Sequence, residues 1–133
     1  MVIEGTEYKT LEHYLMHQKA LVMGDKRTAS LILLVASTPA QAKSLGRRVY
    51  GYSEDKWEKE RERVMFKGLK AKIDQHPELK EKLLRTGSKV IVELHDPIWG
   101  NGLTLEDTLK GAKWKGRNVL GGLWMRLRRD LTP

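Results

Sequence analysis

The alternation of apolar and polar residues along the chain predicts a mostly helical protein with little β-structure. Helices are predicted over about 11–23, 25–36, 38–46, 53–75 and 77–86, with a short helix entered at 104 and a last one over 119–131. Residues 2–9 alternate loosely and predict a short strand with a turn around Gly5, whereas 89–94 (KVIVEL) is the strongest strand prediction. The pattern therefore predicts an α+β fold, a predominantly helical single domain over 1–133 with a small β-sheet.

Capping residues place the helix starts. Thr10, Asp25 and Ser53 each precede a helical segment and carry a side-chain oxygen that can accept a hydrogen bond from the first turn. Thr104, followed three residues later by an aspartate, resembles a capping box. Residues 95–103 contain a proline and two glycines, so this segment is predicted to be a loop.

Composition narrows the class of protein. The 133 residues contain no cysteine, which excludes disulfides, Cys-ligated zinc and a thiol nucleophile. The longest apolar run, 31–36, is too short to span a bilayer, and the N-terminus has no signal pattern. We therefore expect a soluble, cytoplasmic protein without a membrane partner.

The charge distribution favours a phosphate-bearing partner. The formal net charge is +8, and residues 110–133 hold seven Lys/Arg against one acid, whereas 91–109 hold four acids and no Lys/Arg. Such asymmetry favours phosphate or nucleic acid. The alternative is an ordinary soluble surface, because 17 acids are interspersed and no nucleic-acid-binding fingerprint is present.

The first helix carries unusual chemistry on its apolar side. Projected at about 100° per residue, Glu12, Met16, Lys19 and Met23 fall on one narrow stripe. Burying the two charges there would cost several kcal/mol each. The structural alternatives are a Glu–Lys pair or two side chains whose charged ends reach water. The functional interpretation is a pocket whose floor is this helix.

The same helix holds two histidines one turn apart, His13 and His17. This spacing occurs in zinc helices, but the metalloprotease pattern needs a glutamate directly after the first histidine, and Tyr14 stands there. A third ligand would have to come from elsewhere in the chain, so we predict no metal site and assign His17 to packing.

Two glycine-containing loops could also hold a ligand. In 95–102 (HDPIWGNG), a rigid turn would present Asp96 and Trp99, and the glycines would allow close backbone approach; the alternative is a tight connection. In 114–121 (WKGRNVLG), a turn enters the last helix, where backbone N–H groups, the helix dipole, Lys115 and Arg117 would suit a phosphate. The spacing is not that of a P-loop.

Together these motifs resemble the NADAR, or YbiA-like, family over nearly the whole chain. Five blocks occur in the family's order: G-x-x-Y-x-x-x-E-H-Y-x-x-x-Q-K over 5–19, T-P-x-x-A-x-x-x-G-R over 38–47 with Trp57 after it, 64–87, E-L-H-D-P-I-W-G-N-G over 93–102, and G-R-N-V-L-G-x-L-W-M-x-L-R over 116–128. One element departs: the family's usual N-terminal segment, which contributes to the pocket, has no counterpart before Gly5.

The resemblance implies an N-glycosidase without a cofactor. Family members cleave the bond between ribose C1 and an exocyclic amine, in ADP-ribose attached to guanine in nucleic acid or in ribosylamino-pyrimidine phosphates of riboflavin synthesis. Some family members act as antitoxins to guanine-directed ADP-ribosyltransferases, so a cognate toxin is a further expected partner. We expect removal of ADP-ribose from guanine, because the net positive charge favours nucleic acid.

Within that reaction each candidate residue receives a role. Lys19, with its pKa lowered by an apolar setting, would act as Schiff-base nucleophile or as acid, while Glu12 would shuttle protons and Asp96 would orient ribose or water. The remaining candidates would bind substrate by stacking, close approach or phosphate contact: His13, Gln18, Arg47, Trp57, Trp99, Gly100, Gly116 and Asn118. The missing N-terminal segment keeps a second class open, a non-catalytic reader of ADP-ribose or nucleotides. A basic helical scaffold is the third.

Overall fold

The computed structural model describes residues 1–133, which form two compact units, 1–76 and 77–133. The elements are β1 (Val2–Ile3), β2 (Thr6–Glu7), α1 (Leu11–Val22), α2 (Lys26–Leu34), α3 (Pro39–Gly46) and α4 (Glu54–Gln75) in the first unit, and α5 (Pro77–Arg85), α6 (Leu105–Leu109) and α7 (Val119–Leu131) in the second. Seven helices and one small antiparallel sheet confirm the predicted α+β class. The single-domain assignment stays a prediction.

The N-terminal hairpin agrees with the predicted strand and turn. β1 and β2 pair antiparallel with Val2 opposite Glu7, and the two residues between the strands, Glu4 and Gly5, have φ of 51° and 82°. Two successive positive φ values are typical of the tight turn that matches the twist of a hairpin, and glycine adopts one of them without strain.

Helix α1 lies at the centre of the first unit and packs against α2, α3 and α4. Its start follows from Thr10, whose side chain accepts a hydrogen bond from the His13 backbone N–H at 3.2 Å. Two glycines let neighbouring helices come close. A Cβ on Gly68 of α4 would lie 2.6 Å from Leu11, and one on Gly46 of α3 would lie 2.1 Å from Met16 Sδ. The sulfur is thus covered by backbone, and Met16 is buried.

Helix α2 ends two residues before the predicted end at 36. The Ala36 carbonyl is used by two side chains instead of a helical hydrogen bond: Lys9 Nζ donates to it at 2.8 Å and His13 Nε2 contacts it at 3.0 Å. The start was correctly predicted, because Asp25 accepts from the Thr28 N–H at 3.0 Å.

The strongest strand prediction, 89–94, is wrong. These residues form no strand, and β1 and β2 pair with each other. Backbone groups of this segment are hydrogen-bonded by individual side-chain and backbone groups instead of by a neighbouring strand. Arg128 donates to the Lys89 carbonyl at 2.8 Å, and the Asn101 N–H donates to the Glu93 carbonyl at 2.9 Å. An alternating apolar sequence becomes a strand only when a second strand is available to pair with it.

The second unit otherwise follows the predicted pattern. Helix α7 packs against α5, and Thr104 caps α6 by accepting from the Asp107 N–H at 3.1 Å. Residues 95–103 form the predicted loop. No helix of the chain is both long and apolar enough to cross a bilayer.

Candidate active site

The predicted residues fall into two groups, one in each unit. Six lie in the first unit and five in the second: Glu12, His13, Gln18, Lys19, Arg47 and Trp57, then Asp96, Trp99, Gly100, Gly116 and Asn118.

The face of α1 that the projection identified is half-buried at both of its charges. Glu12 and Lys19 are partly exposed, and buried Met16 lies between them beneath Gly46. The two residues are seven positions apart on one helix, which places their backbones about 10 Å apart along the axis. The arrangement is therefore two separate ionisable groups on an apolar face.

The Glu12 carboxyl is biased toward its neutral form. Burial raises its pKa, and the positive charges around it, of which Lys43 acts most strongly and Lys19 next, oppose that rise without cancelling it. A carboxyl group whose pKa is raised in this way keeps a proton closer to neutral pH, which suits proton transfer.

The Lys19 amine is also biased toward its neutral form, through a lowered pKa. Burial lowers its pKa, Glu54 and Glu12 oppose that effect, and Arg47 adds to it. The lowered pKa agrees with the prediction from the apolar stripe. An amine with a lowered pKa is unprotonated more often at neutral pH and can attack a carbonyl-like carbon.

Tyr52, which lies beside Lys19, and the two residues that are linked to it by hydrogen bonds, Glu54 and Arg61, were not predicted as site residues. Lys19 Nζ lies 4.7 Å from the centroid of the Tyr52 ring. The Tyr52 hydroxyl donates a hydrogen bond to Glu54, and Arg61 donates to the other oxygen of that carboxylate at 3.1 Å. Arg61 is only 4% exposed, and an arginine on a buried face of α4 is the signal that sequence reasoning missed.

The two histidines of α1 are both held by hydrogen bonds. His13 is 1% exposed; its Nε2 donates to the Ala36 carbonyl, which leaves Nδ1 to accept from the Thr10 hydroxyl at 2.7 Å. His13 also lines a cavity of about 240 Å³ with Glu7, Lys9 and Leu33. No group of three or more His, Asp or Glu side chains is placed to hold a metal ion.

His17 and Gln18 share the Tyr8 hydroxyl. Tyr8 Oη lies 2.8 Å from His17 Nδ1, and Gln18 Nε2 donates to the same oxygen at 3.3 Å. Burial lowers the pKa of His17, which favours the neutral form of this ring. The packing role predicted for His17 agrees with these contacts, whereas a substrate contact by Gln18 stays a prediction.

Trp57 and Arg47 differ in how far their side chains are exposed to solvent. Trp57 is 6% exposed, so its ring faces have no room for a stacked base, and the predicted stacking role is not supported. Arg47 is exposed directly after α3 and contributes positive charge near both Glu12 and Lys19. Arg47 is therefore placed where a phosphate contact is feasible.

In the second unit, Asp96 holds its own loop. One carboxylate oxygen, Oδ1, accepts from the backbone N–H groups of both Ile98 and Trp99 at 2.7 Å. This is an Asx-type turn, which fixes the loop after Asp96 and partly exposes the Trp99 side chain. The second carboxylate oxygen has no such role, and orientation of ribose or water by Asp96 stays a prediction.

Gly100 and Gly116 allow the backbones of the two loops to lie in close contact. A Cβ on Gly100 would lie 2.6 Å from the Leu94 carbonyl oxygen, and one on Gly116 would lie 2.4 Å from that of Gly100. The consecutive N–H groups of residues 115–120 all donate to carbonyls of residues 97–101 at 2.7–3.2 Å. The prediction that this turn offers free N–H groups to a phosphate is therefore wrong, since the neighbouring loop already binds them.

Asn118 is a structural centre of the second unit. It is 5% exposed and has a positive φ of 50°. Its Oδ1 accepts from the Glu93 N–H at 2.9 Å, and its Nδ2 donates to the Ile91 carbonyl at 3.0 Å. The side chain thus holds 91–93 in place of a partner strand, and its predicted contact with phosphate is not supported by this geometry.

Comparison with known proteins gives matches over both units. The family model of the NADAR domain matches residues 1–132. An N-glycosidase of Acanthamoeba polyphaga mimivirus is 37% identical over 131 residues, which are 96% of this chain and 76% of that protein. N-glycosidase YbiA of Escherichia coli strain K12 is 37% identical over 132 residues, 98% of this chain and 74% of that protein. A cyanobacterial N-glycosidase from Nostoc punctiforme is 31% identical over 132 residues, 97% of this chain and 78% of that protein.

Proposed function

The chain belongs to the NADAR family, and we propose that it is an N-glycosidase that hydrolyses the bond between ribose C1 and an exocyclic amine. The observation that carries the proposal is the pair on α1. Burial raises the pKa of Glu12 and lowers that of Lys19, so both groups are shifted toward their neutral forms. Opposite pKa shifts in an acid and an amine on one helix face are typical of a general acid and a nucleophile that act on the same substrate.

The two groups can divide the reaction between them. Glu12 donates a proton to the ribose ring oxygen, which opens the sugar to an iminium at C1. The Lys19 amine adds to C1, the exocyclic amine leaves with a proton, and a Schiff base between Lys19 and C1 remains. Water then adds to C1 and releases Lys19 as a free amine, which leaves C1 as an aldehyde. The C4 hydroxyl, which is the former ring oxygen, adds to this aldehyde to close the ribose with a C1 hydroxyl, and its proton returns to Glu12. The sum is one water consumed and one C–N bond broken.

For the substrate we propose ADP-ribose attached to guanine in nucleic acid. Arg47 and Lys43 place positive charge around Glu12, which suits a phosphorylated ribose, and the net charge of +8 favours a polyanion. A ribosylamino-pyrimidine phosphate would use the same cations and the same two reactive groups. The substrates differ in the length of phosphate chain they present to the protein.

The test compares the two substrates directly. The protein is incubated with an oligonucleotide carrying ADP-ribosyl-guanine and, separately, with the ribosylamino-pyrimidine phosphate, and products are identified by mass spectrometry. We expect release of unmodified guanine oligonucleotide. Turnover of the pyrimidine alone would replace the proposed substrate, and binding of ADP-ribose without any turnover would favour the non-catalytic reader.

The roles of the two residues are tested by trapping. Borohydride reduction during turnover should fix the ribose to the protein through Lys19, and Lys19→Met should abolish both the adduct and the activity. Lys70→Met, at an exposed position of α4, is the matched control and should keep both. Full activity of Lys19→Met would exclude the nucleophile assignment.

A further inference from the structure

The loop that enters α4 brings an aromatic ring to Lys19. Lys19 Nζ is 4.7 Å from the Tyr52 ring centroid, within the range of a cation–π contact. The Ser53 backbone N–H points to Met23 Sδ at 3.2 Å, which attaches this loop to the residue that ends α1. The ring is therefore held against the same helix that carries Lys19.

Two further side chains fix the ring in place. The Tyr52 hydroxyl donates to Oε2 of Glu54, while Oε1 of the same carboxylate accepts from Arg61 at 3.1 Å. Arg61 is buried on α4, so the chain of contacts ends in a rigid element. Tyr52 itself is 44% exposed, which leaves one side of the Lys19–Tyr52 pair open to solvent.

From this geometry we propose that Tyr52 and Glu54 are positioning residues for Lys19: they hold its Nζ over the ring and stabilise its ammonium form. This proposal rests on the proposed function only for its consequence in catalysis. The ring face and the carboxylate both attract the ammonium, whereas a free amine gains nothing from either. The pair therefore limits how readily Lys19 gives up its proton and fixes where the nitrogen lies.

Besides Glu54, two other charged groups influence the pKa of Lys19. Glu12 on α1 also favours the ammonium, and Arg47, after α3, opposes it; Glu54 acts more strongly than Glu12. The hydrogen bond from Tyr52 is the largest cause that lowers the pKa of Glu54, so the carboxylate stays charged at neutral pH. Burial, together with that same hydrogen bond, raises the pKa of Tyr52 to about 12, so the phenol keeps its proton as donor.

The test measures the Lys19 pKa without any substrate. The protein is labelled with ¹³C at lysine Cε, the Lys19 resonance is assigned by its loss in Lys19→Met, and its shift is followed with pH. We expect Glu54→Gln and Tyr52→Leu each to lower the Lys19 pKa relative to wild type. Tyr52→Phe keeps the ring and should lower it less than Tyr52→Leu.

Controls separate a local effect from misfolding. Glu62→Gln removes an exposed carboxylate from the same helix and should leave the Lys19 resonance unchanged. Dispersed spectra of Glu54→Gln and of Tyr52→Leu themselves show that each variant is folded, and Tyr52→Phe, which keeps the ring, provides the mildest substitution at that position. An unchanged Lys19 pKa in both Glu54→Gln and Tyr52→Leu would overturn the proposal.

With an active enzyme, the pH profile adds a second readout. Because a lower Lys19 pKa leaves more free amine at low pH, the acidic limb of kcat should move to lower pH in Glu54→Gln. If the Lys19 pKa moves as expected but wild type cleaves neither substrate, the positioning role stands and the proposed function fails. If wild type cleaves a substrate but the Lys19 pKa does not move in the variants, the proposed function stands and the positioning role of Tyr52 and Glu54 fails.

Discussion

Replacing Asn118 tests how the second unit holds the segment that was predicted to be a strand. The amide makes two hydrogen bonds to the backbone, at the Glu93 N–H and the Ile91 carbonyl, and its own φ is positive. Asn118→Ala removes both bonds and places an alanine in the left-handed region. Asn118→Gly removes both bonds but adopts that backbone without strain.

The magnitude follows from these contacts. A hydrogen bond contributes about 1 kcal/mol net, and Glu93 is exposed enough for water to replace its partner, so the two bonds together amount to about 2 kcal/mol. The left-handed backbone adds about 1 kcal/mol for alanine. We expect a loss of about 3 kcal/mol for Asn118→Ala and about 2 kcal/mol for Asn118→Gly. The first corresponds to a drop in Tm of roughly 10 °C in a chain of this size.

Thermal unfolding followed by circular dichroism provides the measurement, with Lys113→Ala on the exposed loop as control. Asn118→Asp adds a pH test, because its carboxylate can accept from the Glu93 N–H but repels the Ile91 carbonyl until it is protonated. This variant should approach wild type as the pH falls toward 4. A Tm of Asn118→Ala within about 2 °C of the Lys113→Ala control would refute the argument that this amide replaces a partner strand.

For three further substitutions the direction of the change in stability can be predicted. Since the folded protein raises the pKa of Glu12 by burial, Glu12→Gln should melt higher than wild type at pH 7.5, and the difference should vanish below about pH 4, where the wild-type carboxyl is protonated in both states. The hydrogen bond from Thr28 and further backbone bonds hold the pKa of Asp25 to about 2, so stability from this carboxylate is present above about pH 4 and is lost as pH falls toward 2; Asp25→Asn should flatten that part of the Tm profile. Gly46→Ala places a Cβ 2.1 Å from Met16 Sδ and should cost about 1–3 kcal/mol in urea unfolding, and an unchanged midpoint would mean that the sulfur moves freely.

Helix positions and the reactive face of α1 were predictable because both depend on short-range relations. The caps at Thr10, Asp25 and Ser53 each bind an N–H three residues ahead, so neighbouring sequence is enough to place them. The spacing of Glu12 and Lys19 on one stripe likewise follows from the helical repeat alone. The direction of the Lys19 pKa shift followed from the apolar residues on that stripe.

The sequence by itself determined the helices, the acid–amine pair of α1 and the family. Tertiary structure decided which groups satisfy the backbone of 89–94, where the N–H groups of 115–120 donate, and that Tyr52 lies against Lys19. The physical reason is sequence separation: a cap or a stripe is set within one or two turns, whereas a strand partner, a hydrogen-bond acceptor or an aromatic neighbour tens of residues away is chosen only when the chain packs.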